Sequence, residues 1–249
     1  MVHVIREMLM ESSRRLADNH VFATMAREDF DALSSFATRT ILSGGHVVNE
    51  ADTDLDMAHF PVGAVLSVIN SLENGQGVEI CTIGHENAYG LANAVGSPWA
   101  GERVICQVPG FCYQLPIARL KQAAAKSTGL TELLIRHVQA SSAQTGQSVA
   151  CNAIHSVEAR LCRWLLMSQD RAGVKILPLT HEFIGYMLGV QRTTVTLAAR
   201  NLQAAGLIRY RRGNIEILDR DGLLESACEC YAAGVHKHAR LLEGYLRLR

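Results

Sequence analysis

A set of hydrogen-bonding side chains follows residue 190, at the start of a helical pattern. Its members are Gln191, Arg192, Thr193, Thr194 and Thr196, with Arg200 about two turns further along. The first turn of a helix has free backbone N–H groups and the positive end of the helix dipole, both of which bind phosphates. Arginine is the usual bidentate partner of guanine in the DNA major groove. These residue types at this position therefore predict contacts with double-stranded DNA.

Two short helices joined by a tight turn are predicted to position this set. Thr180 is the expected N-cap of a helix over residues 181–188, whose apolar residues share one face. Gly189 reverses the chain, because a residue without Cβ adopts positive φ at no steric cost. Gly185 lies one turn earlier, where a side chain would hold the two helices apart. The second helix is predicted from about Arg192 to Ala205.

The stretch RYRRGNIEILDRDGL, which begins at Arg209, predicts a small hairpin behind the second helix. Residues 180–220 contain six arginines and three acidic residues, whereas residues 1–179 contain 14 basic and 17 acidic residues. The net charge of zero therefore hides a polarised molecule, with positive charge where phosphates would bind. Arg211 and Arg212 are expected to contact the DNA backbone. A winged helix that binds only protein is the alternative, and the charge distribution disfavours it.

The run of residues from 179 to 195 resembles the recognition unit of the CRP/FNR family of bacterial transcription regulators, a C-terminal winged helix-turn-helix. The matching positions are Leu179, Thr180, Glu182, Leu188, Gly189, Arg192, Thr194 and Val195. The resemblance implies that Arg192 reads a base while Thr180, Gln191 and Thr194 hold phosphates. It also implies three partners: a double-stranded DNA operator, a second copy of the chain and RNA polymerase.

Two positions depart from the family pattern. Thr193 stands where the best-known members carry an acidic base-reading residue, and Leu197 stands where they carry a second arginine. The operator sequence of those members therefore does not transfer to this chain.

The chain is long enough for two domains, with 249 residues of which 48% are hydrophobic. We expect a sensor domain over residues 1–127, a dimerisation helix and hinge over 128–154, and a DNA-binding domain over 155–249. The seven cysteines are scattered, the N-terminus lacks the apolar core of a signal peptide, and no stretch approaches 18 apolar residues. These features favour the cytoplasm and exclude a membrane partner.

The fold class predicted for the chain is α+β. Residues 1–37 have helical patterns, and residues 39–116 form short β-rich runs separated by glycine-rich turns, which is typical of a β-roll of the jelly-roll type. This half resembles the cyclic-nucleotide-binding-type β-roll of the same family.

One further expectation concerns Cys106 and Cys112, which flank the Pro109-Gly110 turn and would face each other if this turn closed a hairpin. They would then be either a redox pair or buried free thiols.

The connection from Gly84 to Arg103 is the candidate effector site. Family members that bind cyclic AMP carry a Gly-Glu pair here, and an Arg-Ser or Arg-Thr pair further on. In this chain His85 separates Gly84 from Glu86, and Arg103 comes late, beside Glu102. The candidate residues are Gly84, Glu86, Asn87 and Arg103. Three readings stay open: cyclic AMP, which the broken pattern disfavours, another small effector, or a β-roll that binds nothing. No cofactor is predicted beyond this unidentified small effector.

A long helix is predicted from Thr128 to Ile154, with small residues in its second half. It resembles the family's dimerisation helix, and the alternative is a helix that packs only on its own β-roll. A second helix, starting after Ser156, is expected to begin the DNA-binding domain, with Arg160 and Arg163 on its polar side. The apolar residues of the long helix do not form a clean heptad pattern, so the register of the dimer is not predicted.

The C-terminal residues, from Asp221 to Arg249, are predicted to form one helix. Cys228 and Cys230 with His236 and His238 suggest a metal site, but residues at i and i+2 of a helix point about 200° apart. No metal ligand is predicted on this ground. A metal- or thiol-dependent enzyme built on the jelly roll, with ligands such as His46, His59 and His85, is the main alternative from another class, and a regulator without an effector is the second.

Overall fold

The computed structural model describes residues 15–243. The first part of the chain is an antiparallel β-roll, which confirms the predicted architecture. Its strands are β1 (Thr38–Leu42), β2 (Val47–Asn49), β3 (Thr53–Asp54), β4 (Met57–Pro61), β5 (Val65–Ser71), β6 (Gly77–Ile83), β7 (Trp99–Ala100), β8 (Arg103–Val108) and β9 (Gly110–Pro116). They form sheets in the orders β1-β9-β4, β2-β8-β5-β6 and β3-β7.

Strand β5 explains how the roll joins the rest of the molecule. Side chains alternate between the two faces of a strand. Leu66 and Val68 point into the core of the roll, whereas Val65 and Ile69 pack in a second core with the C-terminal half of the chain. Both faces of this sheet are therefore covered, and the strand is apolar along most of its length.

The hairpin expected across Pro109-Gly110 is wrong. Strand β8 pairs with β2 and β5, and strand β9 pairs with β1 and β4, so the two strands belong to different sheets. Cys106 and Cys112 are buried free thiols. Burial raises the pKa of Cys106 to about 12 and that of Cys112 further still, which makes both thiols unreactive.

Short helices pack around the roll. A 3₁₀ turn at Leu16–Asp18 is followed by α1 (His20–Ala23), α2 (Arg27–Ser34), α3 (Leu91–Val95) and α4 (Ile117–Ala124). The first 14 residues of the helical pattern predicted over residues 1–37 lie outside the described residues. The long helix α5 runs from Thr128 to Ile154, as predicted, and Ser127 caps it by accepting a hydrogen bond from the Leu130 N–H.

The C-terminal half contains α6 (Val157–Ala172), β10 (Ile176–Leu177), α7 (His181–Leu188), α8 (Arg192–Ala204), β11 (Ile208–Arg211) and β12 (Asn214–Ile217). Helices α7 and α8 form the predicted helix-turn-helix, and β11 and β12 form the predicted hairpin, which we call the wing. Helix α6 begins at the Ser156 cap and ends at Gly173, which has φ of 68°.

The expectation that Arg160 and Arg163 lie on a polar, solvated face of α6 is wrong. Their exposures are only 6% and 5%. Helix α6 packs against α7 and α8 on one side and against β5 and β6 of the roll on another, so little of its surface reaches solvent. Arg160 donates a hydrogen bond to the backbone carbonyl of Leu188, which satisfies the end of α7.

The single C-terminal helix predicted from Asp221 is also wrong. The chain forms α9 (Arg220–Ser226) and α10 (Cys230–Leu241), separated by Ala227–Glu229. Ala227 has an extended backbone, with φ of −78° and ψ of 153°. Helix α10 runs antiparallel along α5: Cys228 meets Cys151, and the Leu241 carbonyl meets Arg136. The partial apolar stripe did not reveal this break.

Within residues 15–243, no helix combines the length and the apolar character needed to cross a bilayer.

Candidate DNA-binding surface and interdomain cavity

The turn between α7 and α8 has the geometry that its sequence predicts. Thr180 Oγ1 accepts a hydrogen bond of 3.2 Å from the Phe183 N–H and so caps α7. Gly189 ends that helix with φ of 64°. A Cβ added at Gly185 would lie 2.8 Å from the carbonyl oxygen of Val190, so only glycine lets the two helices approach this closely. Helix α8 is thereby held at a defined angle.

Helix α8 buries one face and exposes the other. The buried residues are Val195, Ala198, Ala199 and Leu202. The exposed residues include Gln191, Arg192, Thr193, Thr194, Leu197 and Arg200, which are the predicted DNA-binding positions together with one leucine. These side chains are exposed in the described part of the chain, and Gln191 also lines a cavity that it shares with Leu72, Gln76 and Val78 of the β-roll. The recognition surface is therefore open in this arrangement of the two halves.

Thr196 differs from the other predicted positions because its hydroxyl already has partners within the domain. It donates to the Arg192 carbonyl at 2.9 Å and lies 3.0 Å from His181 Nδ1. The His181 ring stacks on Tyr210 of the wing, with ring centroids 3.9 Å apart. Burial, followed by the charges of Arg192 and Arg200, lowers the pKa of His181.

Sequence reasoning missed this group of contacts between α7, α8 and the wing. The spacing of residues 181, 196 and 210 carries no periodic signal that would have revealed it.

The wing presents two exposed arginines, Arg211 and Arg212. Arg212 and Gly213 form the two-residue turn of the hairpin, with φ of 50° and 77°. Left-handed backbone at both turn positions favours Asn-Gly, and an arginine there is strained. Thr180, the cap residue of α7, lies next to Gly213 although the two are far apart in the sequence. The cap of α7 and the tip of the wing therefore share one edge of the surface.

One of the predicted effector residues, Glu86, belongs to an ion pair between the two halves of the chain. Glu86 Oε1 lies 2.6 Å from Arg171 Nε of α6 and also accepts a 3.2 Å hydrogen bond from the Gly84 N–H. Burial acts to raise the pKa of Glu86, but the charge of Arg171 and the hydrogen bonds to the carboxylate together outweigh it and hold that pKa below its ordinary value. A side chain at Gly84 would collide with Arg171. This loop is shaped to receive an arginine of the other half.

Asn87 and Arg103 have different surroundings. The Asn87 side chain donates to the His137 carbonyl and to Ser141 Oγ, so it fastens the loop to α5. Arg103 forms a 2.9 Å ion pair with Glu50 at the edge of the roll and does not line the same cavity as Glu86. The structure brings Gly84, Glu86 and Asn87 together and places Arg103 elsewhere.

A cavity of about 310 Å³ lies beside the Glu86–Arg171 pair. Its walls come from the middle of α5, the second half of α6, helix α10 and the connection of residues 84–103, which we call the sensor loop. Its lining residues include the polar or charged His20, His85, Gln144, Asp170, Lys237 and His238. Its volume is at the lower end of the range for small-molecule sites. A molecule bound here would touch both halves of the protein.

Helix α5 keeps one stripe of its surface exposed, and we call these residues the seam. They are Glu132, Ile135, Gln139, Ser142, Gly146, Val149 and Ala153. The intervals alternate strictly between three and four residues, which is the heptad spacing of a coiled coil. Val149 is 63% exposed, and Ile154, which follows the last seam residue, is 78% exposed. The heptad was not visible in the sequence because the buried faces of α5 are also rich in apolar and small residues.

Comparison with known proteins supports both halves of this description. Residues 159–226 match the family model of the Crp-like helix-turn-helix domain. No curated protein matches the chain.

Solved structures share the whole architecture at low sequence identity. FixK2 from Bradyrhizobium japonicum is 16% identical, with a TM-score of 0.66 over 77% of this chain and 98% of that one. A putative transcriptional regulator of the CRP/FNR family from Eubacterium rectale is 17% identical, with a TM-score of 0.65 over 83% and 96%. The c-di-GMP-responsive global regulator CLP of Xanthomonas campestris is 13% identical, with a TM-score of 0.62 over 77% and 99%.

Residues 159–226 are therefore a Crp-like helix-turn-helix domain. The order of a β-roll, a long helix and a winged helix-turn-helix gives the chain the fold of the solved CRP/FNR-family regulator from Eubacterium rectale. The similar proteins from Eubacterium rectale and Xanthomonas campestris are both described as regulators.

Proposed function

We propose that the protein binds a twofold-symmetric DNA operator as a homodimer, and that a small effector in the interdomain cavity controls this binding. The observation that carries the proposal is the open outer face of α8, which presents arginine, threonine and glutamine side chains from a rigid helix-turn-helix. One such unit reads one half-site. Two copies related by a twofold axis would enter successive major grooves about one helical turn apart.

The seam supports the dimer. Exposed Ile135 and Val149 would be buried by a second α5, whereas α10 and the β-roll already cover the other faces of this helix. A Cβ at Gly146 would meet nothing within 4 Å inside the chain, so packing within one subunit does not require glycine there. Glycine inside a helix costs about 1 kcal/mol relative to alanine. Close approach of a partner helix at this point is a physical reason to have it.

The roles of the DNA-facing residues follow from their positions. Arg192 occupies the first turn of α8 and is assigned to a base, while Gln191 and Thr194 flank it and are assigned to phosphates together with Thr180. Thr193 and Arg200 lie on the same exposed face and are further candidates. Exposed Leu197 fits an apolar contact, such as the methyl group of thymine. Thr196 supports α8 and has little hydroxyl capacity left for DNA.

The wing arginines have a different role. Arg211 and Arg212 project from the hairpin and are assigned to the phosphate backbone, where arginine gives affinity without sequence discrimination. The strained backbone of Arg212 favours a functional reason for its side chain.

The cavity beside Glu86 and Arg171 is the proposed effector site, and its small size favours a metabolite-sized molecule. A ligand that bound better to one arrangement of the two halves would shift the separation and angle of the two recognition helices. Cyclic AMP is disfavoured because Arg103 is paired with Glu50, away from Glu86. A regulator that needs no effector is the alternative, and a thermal-shift screen with nucleotides and metabolites separates the two.

The cellular setting follows from this function. We place the protein in the cytoplasm, where it reaches chromosomal DNA, and we expect RNA polymerase as a further partner. A metal- or thiol-dependent enzyme on the roll is disfavoured because Cys81, Cys106 and Cys112 are buried and burial raises their pKa values to about 12 or above.

The experiment that tests DNA recognition starts with selection of binding sites from a random duplex pool, followed by base-by-base substitution of the selected site. Arg192→Ala should cost about 1 to 3 kcal/mol at one base position and relax discrimination there. Arg211→Ala is the matched control and should lower affinity equally for all sequences, with a flatter salt dependence. Failure of the wild-type chain to bind any duplex at low ionic strength would refute the proposal.

A further inference from the structure

Three thiols and one imidazole meet at the junction of α5 with the DNA-binding domain. Cys151 lies in the last turn of α5, and His155 follows the end of that helix. Cys228 lies in the break between α9 and α10, and Cys230 is the first residue of α10. The four potential ligand atoms all lie within 4.8 Å of one another.

The separations within this group suit a tetrahedral metal site. The Sγ atoms of Cys151 and Cys228 are 3.5 Å apart, and Cys230 Sγ is 3.6 Å from His155 Nδ1. Zinc bonds of about 2.3 Å to sulfur and about 2.0 Å to nitrogen place neighbouring ligand atoms roughly 3.5 to 4 Å apart. A Cys₃His set is one of the common structural zinc sets. All three cysteines are buried, which is typical of a closed structural site and not of an open catalytic one.

The helix break removes the objection that the sequence raised. Cys228 and Cys230 would diverge on a continuous helix, but the extended backbone at Ala227 and the turn at Glu229 let both thiols face Cys151.

Groups around the cluster also have the arrangement of a second coordination layer. His155 Nε2 lies 3.1 Å from the Glu229 carboxylate, which orients the ring and leaves Nδ1 towards the thiols. Carboxylate–histidine pairs of this kind support metal-bound histidines. Gln147 Nε2 donates to Cys230 Sγ at 3.0 Å, the kind of contact that stabilises a thiolate.

Charge compensation is available as well. Arg160 and Arg163 are buried beside the cluster, and the Nε atom of each has no hydrogen-bond partner within residues 15–243. Arg160 interacts electrostatically with Cys151 and Cys228, and Arg163 with Cys151. Three thiolates and one divalent cation carry a net charge of −1, which these guanidinium groups offset.

We propose that Cys151, His155, Cys228 and Cys230 bind one Zn²⁺ ion, which fastens the C-terminal segment to the hinge between the long helix and the DNA-binding domain. Each cysteine loses its proton to solvent as its Sγ–Zn bond forms, and no oxidant or reductant takes part. The metal would connect two segments that are more than 70 residues apart in the chain, Cys151 to Cys228. It would limit rotation of the DNA-binding domain about the end of α5.

The test begins with the full-length chain, purified without a histidine tag under anaerobic, reducing conditions. Mass-spectrometric metal analysis should find about one Zn²⁺ per chain. Replacement of zinc by Co²⁺ should give the strong visible absorption of tetrahedral cobalt together with a thiolate charge-transfer band. These two measurements use the wild-type protein, so they test the metal site even if the variants fold poorly.

Cys228→Ala should lose most of the bound metal and the cobalt spectrum. Cys162→Ala is the matched control, because Cys162 is an equally buried cysteine of the same domain that lies outside the cluster. The Cys162→Ala variant should keep both the bound metal and the cobalt spectrum. Circular dichroism reports whether each variant is folded.

Two results would overturn the proposal. In the first, the wild-type protein binds neither Zn²⁺ nor Co²⁺ after anaerobic reconstitution. A Cys151–Cys228 disulfide found by peptide mapping in such metal-free protein counts as the same negative result. The other is folded Cys228→Ala that retains wild-type metal content.

Discussion

Arg171 of helix α6 and Glu86 of the sensor loop are joined by an ion pair of 2.6 Å that connects the two halves of the chain. Both side chains are largely buried, at 13% and 16% exposure. Arg171 also donates to Gln144 of α5, so one guanidinium contacts the sensor loop and the long helix from within the DNA-binding half. Any change in the angle between the halves must disturb this pair.

Arg171→Met should lower the free energy of unfolding by about 3 kcal/mol, because it leaves the Glu86 carboxylate buried without its counter-charge. Denaturant titration followed by circular dichroism measures the loss. Arg27→Met is the control, since Arg27 forms an exposed ion pair with Asp31 within α2 and its removal should change nothing measurable. Equal stability of wild type and Arg171→Met would show that the pair does not hold the halves together.

Arg212→Asn should raise stability and weaken DNA binding at the same time. Asparagine tolerates the positive φ of this turn better than arginine, so we expect a gain of about 0.5 to 1 kcal/mol in unfolding free energy. Loss of the guanidinium should reduce affinity for all duplexes alike and flatten the salt dependence. Thermal denaturation and fluorescence anisotropy measure the two effects. Unchanged affinity across salt concentrations would argue against a backbone contact by the wing tip.

Gly146→Leu should reduce dimerisation without harming the fold of one subunit. The position is exposed and no atom of the chain lies within 4 Å of the added Cβ, so the monomer has room for the side chain. A partner helix packed on the seam would leave no room for the leucine side chain. Analytical ultracentrifugation should show weaker self-association for Gly146→Leu and a smaller effect for Gly146→Ala. Ala232→Leu, on the exposed surface of α10, controls for added bulk and should dimerise like wild type.

His137→Leu should reduce the sensitivity of the protein to acid. The His137 ring is fully buried in α5, and neither ring nitrogen has a hydrogen-bond partner within residues 15–243. Burial, then the charges of His238 and His20, lowers its pKa from 6.5 to about 3, and Glu86 acts weakly in the opposite direction.

The sign of the effect follows from this depressed pKa. The ring is neutral in both states above pH 6.5, whereas below it the unfolded chain binds a proton that the folded chain rejects. Stability is therefore lost as pH falls, by about 2 to 3 kcal/mol at pH 4.5. Denaturant titrations at pH 7 and 4.5 should show a smaller loss for His137→Leu than for wild type. His46→Leu, at an exposed position, should keep the wild-type loss.

The helix-turn-helix was predictable because short-range interactions specify it. The Thr180 cap, the left-handed turn at Gly189 and the tight approach at Gly185 each depend on residues within a few positions of one another. The short β-rich runs between glycine-rich turns likewise predicted most strands of the roll. Strand β4 was missed because its sequence, MAHFP, contains no valine, isoleucine or threonine, the β-branched residues that marked the other runs.

What the amino-acid sequence determined by itself was the order of elements and the outward face of α8, since caps, turns and periodicity act locally. Only the tertiary structure decided where α6 lies, and with it the burial of Arg160 and Arg163 and the pairing of Arg171 with Glu86. It also decided which stripe of α5 stays open and brought Cys151 to Cys228. These relationships join segments tens of residues apart, and their energies depend on which surfaces exclude water from one another, a property that no local pattern encodes.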